Sequence, residues 1–151
     1  GQTGGVIGET SALALLAGGV YLLWRKVITI NIPAAYILTV AVITFLFPLS
    51  GDVSRVQWML SQVLSGGLML GAIFMATDYV TSPFTLKGKL VYGVALGIVT
   101  FAIRYWGSYT EGVSFALLFM NLWVPYINDL TRQTPYGYIK PAKKAKEGAG
   151  K

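Results

Sequence analysis

Five apolar stretches, Thr10 to Trp24, Ile32 to Leu49, Trp58 to Ala76, Leu90 to Trp106 and Val113 to Ile127, take up most of the chain and carry almost no charge. As helices, stretches of 15 to 19 residues reach about 22 to 28 Å, slightly less than a ~30 Å hydrocarbon core. A soluble helical bundle would need a charged face on each helix, and these segments do not supply one. The chain is therefore expected to be all-α and polytopic, with about five transmembrane helices. Partner helices or a locally thinned bilayer absorb the small length deficit.

Basic residues then set an orientation. Ten of the 12 Lys and Arg fall on one side of the five spans: Arg25, Lys26, Lys87, Lys89, Arg132, Lys140, Lys143, Lys144, Lys146 and Lys151. Only Arg55 and Arg104 fall on the other. The excess of positive charge on cytoplasmic loops predicts an amino end outside and a cytoplasmic basic tail. The net charge of +6 is thus a topological signal, and no nucleic-acid partner is expected.

The sequence has no cysteine and no histidine. That excludes disulfides, Cys-ligated iron-sulfur clusters, His-ligated haem and the usual zinc sites within these residues. Redox chemistry would need an organic cofactor or a neighbouring subunit. The glycine-rich start lacks the basic region of a signal peptide, and the first methionine is Met59. The expectation is a processed chain or a piece of a longer one. Three regions are predicted: an extracytoplasmic glycine-rich segment over 1–9, a five-helix membrane domain over 10–130 and a basic cytoplasmic tail over 131–151.

Several polar residues stand out. Glu9, Thr10 and Ser11 read as the start of the first helix, with a hydroxyl capping free N–H groups and Glu9 suiting the positive end of the dipole. Pro33 fits the first turn of the second helix. Gly67 with Gly71, and Gly93 with Gly97, form small-residue faces on which helices can approach closely. Asp78 lies among hydroxyls in the loop from Thr77 to Lys89; it either lines an ion path or anchors an interfacial turn. Arg104 pairs with Glu111 across the second outer turn, or meets an anionic or planar group such as a flavin. Asn121, in the fifth span before Pro125, should make an interhelical hydrogen bond. Tyr21, Trp24, Trp58, Trp106 and Trp123 fit an interfacial aromatic belt.

Three segments together carry a family pattern: Gly8-Glu9-Thr10-Ser11-Ala12-Leu13-Ala14-Leu15-Leu16, Gly71-Ala72-Ile73-Phe74-Met75-Ala76-Thr77-Asp78 and Gly112-Val113-Ser114-Phe115-Ala116-Leu117-Leu118 before Asn121 and Pro125. With their spacing they resemble the carboxy-terminal half of the NqrB/RnfD family, on its Rnf D-type side, over Gly4 to Tyr138. The resemblance implies a ten-helix protein of two inverted five-helix repeats, similar in fold to urea transporters. It also implies a membrane component of an Rnf-type complex in the plasma membrane, with the other subunits of that complex as partners. Such complexes couple electron transfer between ferredoxin and NAD to Na+ or H+ transport. The cofactor implied is FMN, joined through phosphate to a threonine of a Ser-Gly-Ala-Thr type motif upstream of the matching segment. Thr3 in Gly1-Gln2-Thr3-Gly4 does not match that motif, so the covalent FMN threonine is expected outside these residues. Glu9, Thr10, Ser11 and Arg104 are the candidates for contact with the flavin side, and Asp78 is the candidate for the ion path; no metal site and no catalytic residue is expected. Tyr79 departs from the Asp-Pro of many relatives. A channel or carrier for a small polar solute, and a purely structural assembly subunit, are the rival readings.

Overall fold

The computed structural model of the chain describes residues 11–48, 54–64, 67–107 and 112–131. Helix α1 spans Ala12–Trp24, α2 Asn31–Leu46, α3 Arg55–Leu64, α4 Leu68–Met75, α5 Leu86–Trp106 and α6 Gly112–Leu130. All regular structure among the described residues is helical.

The helix ends follow from local chemistry. The Ser11 hydroxyl accepts the Ala14 N–H at 3.3 Å and caps α1. At its other end, Lys26 donates its N–H to the Leu23 carbonyl and Val27 to the Leu22 carbonyl. This is a Schellman closure with Lys26 at the left-handed position, φ 54°, where glycine is the usual residue. Pro33 sits in the first turn of α2, where a missing N–H costs no intrahelical bond. That helix stops at Phe47, φ −119° and ψ 72°, because Pro48 disfavours helical geometry in the residue before it. Thr85 caps α5 by accepting the Gly88 N–H at 3.0 Å.

Two helices, α5 and α6, are long and apolar enough to cross a membrane, and α3 with α4 makes a third candidate as one bent span. α1 and α2 are shorter apolar helices of 13 and 16 residues. The third stretch is not the continuous helix expected from Trp58 to Ala76. It breaks at Gly67, φ 65°, and α3 and α4 differ in direction by 61°. The last five residues of α4, Gly71–Met75, form a wider π-helical turn closed by Ala76 N–H to the Gly71 carbonyl at 2.7 Å. The fourth helix begins at Leu86, four residues before Leu90, so Lys87 and Lys89 lie in its first turn.

Packing centres on α2 against α5, the most extensive helix pair. A Cβ at Gly93 would lie 2.8 Å from Ala35 Cβ and 3.0 Å from the Ile32 carbonyl oxygen. At Gly97 it would lie 2.7 Å from Thr39 Cβ. Both glycines thus let α5 rest on the α2 backbone, the close approach that small-residue faces permit. Gly71 does the same for α4 against Val113 of α6. Tyr36, Tyr92, Leu96, Ile32, Val40 and Leu68 fill the interior.

The exterior is apolar. Trp24 is 79% exposed, Leu118 70% and Leu122 72%, whereas Thr100 and Tyr36 are fully buried. Buried hydroxyls are bonded internally: Thr44 donates to the Val40 carbonyl at 2.7 Å, and Tyr36 and Thr100 meet at 2.7 Å. Internal satisfaction of polar groups beneath an apolar surface is what hydrocarbon requires of a chain.

Candidate functional site

The loop after α4 is built from short-range hydrogen bonds and then clamped to the rest of the fold. The Thr77 hydroxyl is buried and donates back to the Ile73 carbonyl at 2.6 Å. Asp78 then starts a turn in which the Ser82 N–H reaches the Asp78 carbonyl at 3.1 Å and the Thr81 hydroxyl reaches Asp78 Oδ2 at 3.4 Å. Tyr79 donates its hydroxyl to the Val27 carbonyl in the turn between α1 and α2. The residue that departs from the family pattern is therefore one of the loop's clamps. Phe84 N–H donates to Asn128 Oδ1 at 3.2 Å, and the Thr85 hydroxyl donates to the Thr131 hydroxyl at 2.6 Å. These bonds fix the loop to the end of α6.

Asp78 borders a cavity of about 480 Å³ between the end of α4 and α6. Asp78, Thr81, Ser114 and Asn121 supply its polar groups, and Phe74, Met75, Leu117 and Leu118 its apolar walls. Asn121 accepts the Tyr92 hydroxyl proton through Oδ1 at 2.7 Å. This is the interhelical bond expected for it, and its amide NH2 remains for the cavity. α6 stays helical through Pro125. Ser114 is not singled out by sequence reasoning, although it stands two turns before Asn121 and so shares its face at i, i+7 spacing.

The other candidates do not join this cavity. Arg104, in the last turn of α5, donates through Nη1 to the Gln62 carbonyl of α3 at 2.7 Å. Ser11 is occupied as the α1 cap. Glu9, Thr10 and Glu111 lie outside the described residues, as does the basic tail. The cations and hydroxyls expected to face a flavin therefore do not converge on a phosphate- or ring-sized pocket among the described residues. This part of the chain does not fit as a flavin site by itself.

A carboxylate, two hydroxyls and a carboxamide on an otherwise apolar helical surface are costly in hydrocarbon, and intramembrane ionisable groups commonly mark ion or substrate pathways. The site can hold a small cation or polar solute by oxygen donors; it contains no nucleophile and base pair for covalent chemistry.

Fold and site together define an all-helical membrane protein with a polar pocket set into its helix packing. The chain belongs to the NQR2, RnfD, RnfE family, whose model matches residues 1–137. It is 44% identical to the D subunit of the Na(+)-translocating ferredoxin:NAD(+) oxidoreductase complex of Acetobacterium woodii, over 94% of this chain and 42% of that protein. It is 42% identical to the D subunit of the ion-translocating oxidoreductase complex of Cellvibrio japonicus, over 87% of this chain and 37% of that one. Identity is 39% to the D subunit of the proton-translocating ferredoxin:NAD(+) oxidoreductase complex of Clostridium ljungdahlii, over 91% of this chain and 41% of that protein. The chain thus spans about two fifths of the length of these curated relatives.

Proposed function

We propose that the chain is the membrane-embedded carboxy-terminal part of a D-type subunit of an Rnf complex, coupling ferredoxin:NAD electron transfer to Na+ or H+ transport. In this reading it makes five crossings, with α1, α2, the bent α3 and α4 pair, α5 and α6 each counted once. It forms the second repeat of an inverted-repeat, ten-helix fold in the plasma membrane, amino end outside. FMN is held by the upstream part of the parent protein, where it supplies one-electron transfer. The described residues contribute helix packing and the Asp78 pocket.

The observation that carries the reading is the placement of Asp78. It closes the π-helical end of α4 in a pocket with Thr81, Ser114 and Asn121, in a chain whose relatives are named as subunits of ion-translocating oxidoreductases. There the carboxylate would draw a cation from the membrane surface, and the hydroxyls and carboxamide would replace part of its water shell. The polar lining also suits a small neutral solute, which keeps a carrier as the second reading.

The test uses the natural full-length subunit in its complex, reconstituted in vesicles. Asp78→Asn is expected to abolish coupled ion uptake while the subunit still assembles; unimpaired uptake removes Asp78 from the route. A flavin-fluorescent band after denaturing the parent chain supports the redox reading. A dark band with solute uptake that needs no electron donor supports the carrier.

A further inference from the structure

A second cavity, about 220 Å³, lies between α1, the turn after it, the start of α2 and Ile73 of α4. Its walls are apolar: Leu16, Val20 and Leu23 descend one face of α1, and Ile28, Pro33 and Ile37 close the other side. From Leu16 to Leu23 the groove follows about two turns of α1, roughly 10 Å, and it ends at the turn carrying Arg25 and Lys26.

The charges at that end are concentrated and of one sign. Arg25 and Lys26 are exposed. Lys89 of α5 reaches the same turn, its Nζ donating to the Thr29 hydroxyl at 3.3 Å. Among the described residues no carboxylate pairs with any of the three. Trp24 and Tyr21, both exposed, place this end of α1 at the headgroup level, where such rings concentrate. Lys26 also occupies a left-handed position, φ 54°, that glycine would fill at lower conformational cost. Turn geometry therefore gives no reason for a lysine here, and its charge does.

We propose that groove and turn form a binding site for one anionic phospholipid, with an acyl chain along Leu16, Val20 and Leu23 and the phosphate at Arg25, Lys26 and Lys89. An apolar slot that ends beneath three cations matches the two halves of that ligand. A zwitterionic lipid fits the slot without using the net charge, and free phosphate uses the charge without the slot. The site is independent of the ion and electron chemistry proposed above.

The test is native mass spectrometry of the intact parent complex, released from detergent with phosphatidylglycerol or with phosphatidylcholine of the same chains. One phosphatidylglycerol per complex should be retained at this site in preference to phosphatidylcholine. Arg25→Gln with Lys26→Gln should weaken phosphatidylglycerol retention about fivefold per charge removed and leave phosphatidylcholine unchanged. Ala34→Phe, which fills the groove from α2, should reduce both lipids. Equal retention of the two lipids by the parent overturns the proposal, as does full retention by either variant. Photo-crosslinks from Val20 or Ile30 to the upstream part of the parent chain would put protein in the groove and overturn it as well.

Discussion

Gly97→Ala tests whether the α2 and α5 backbones are in contact because glycine lets them be. The added methyl would start 2.7 Å from Thr39 Cβ and 3.3 Å from the Tyr36 carbonyl oxygen, both fixed to α2 itself. Relief requires the first distance to open to at least 3.4 Å, so α5 must move off α2 by about 0.7 Å or tilt. A gap of that size forfeits a quarter to a half of the local dispersion energy. Overpacking of this kind costs about 1–3 kcal/mol. Loosening the buried Tyr36–Thr100 hydrogen bond, 2.7 Å and one turn away, adds about 1 kcal/mol. The comparison is Gly18→Ala, where the methyl meets only the far edge of the Phe74 ring at 3.1 Å, and that ring is 40% exposed and free to swing. Both substitutions gain about the same ~1 kcal/mol of helix propensity, which cancels in the difference. Equilibrium unfolding of the full-length parent in mixed micelles should therefore place Gly97→Ala about 2–4 kcal/mol below Gly18→Ala. Equal stability of the two variants would refute the close-contact argument.

Three further outcomes follow from particular contacts. Tyr92→Phe leaves Asn121 Oδ1 without its donor and should cost about 0.6–1.7 kcal/mol by the same unfolding assay, and little more once Asn121 is already Leu. Lys26→Gly relieves the left-handed lysine and should raise the stability of the parent protein by about 1 kcal/mol, read as a higher unfolding midpoint. Thr85→Ala removes the α5 cap and the bond to Thr131; it should cost about 1 kcal/mol and speed hydrogen exchange at the Gly88 amide.

Features set by local chemistry are legible in the sequence. The Ser11 cap, Pro33 in a first turn, the Gly93 and Gly97 face and the interhelical bond of Asn121 all depend on residue type and helical spacing, and each is found. The break in the third stretch is not legible. Leu64 to Leu70 keeps an unbroken apolar and small-residue pattern, and nothing in composition separates a glycine in a helix from Gly67 at positive φ. The start of α5 lies earlier than expected because Lys87 and Lys89 read as loop, whereas lysines in a first turn can extend their charge to the interface. Arg104 invites pairing with its sequence neighbours, but its described partner is Gln62, 42 residues earlier, a contact that exists only because α3 lies beside α5. Asp78 and Asn121 each stand out singly; the pocket joining them with Ser114 needs the packing of α4 on α6.

The π-helical turn gives the Asp78 pocket an unusual sensitivity to length. Gly71–Met75 accommodates one residue more than the hydrogen-bonding ladder of an α-helix would. Removing a single residue there would let the turn relax to α-helix and swing everything after it by about 100°. Such a deletion would carry the carboxylate away from Ser114 and Asn121 without altering any of the three side chains. Within this family, the number of residues between Gly71 and Asp78 is therefore as much a determinant of the pocket as the residues that line it.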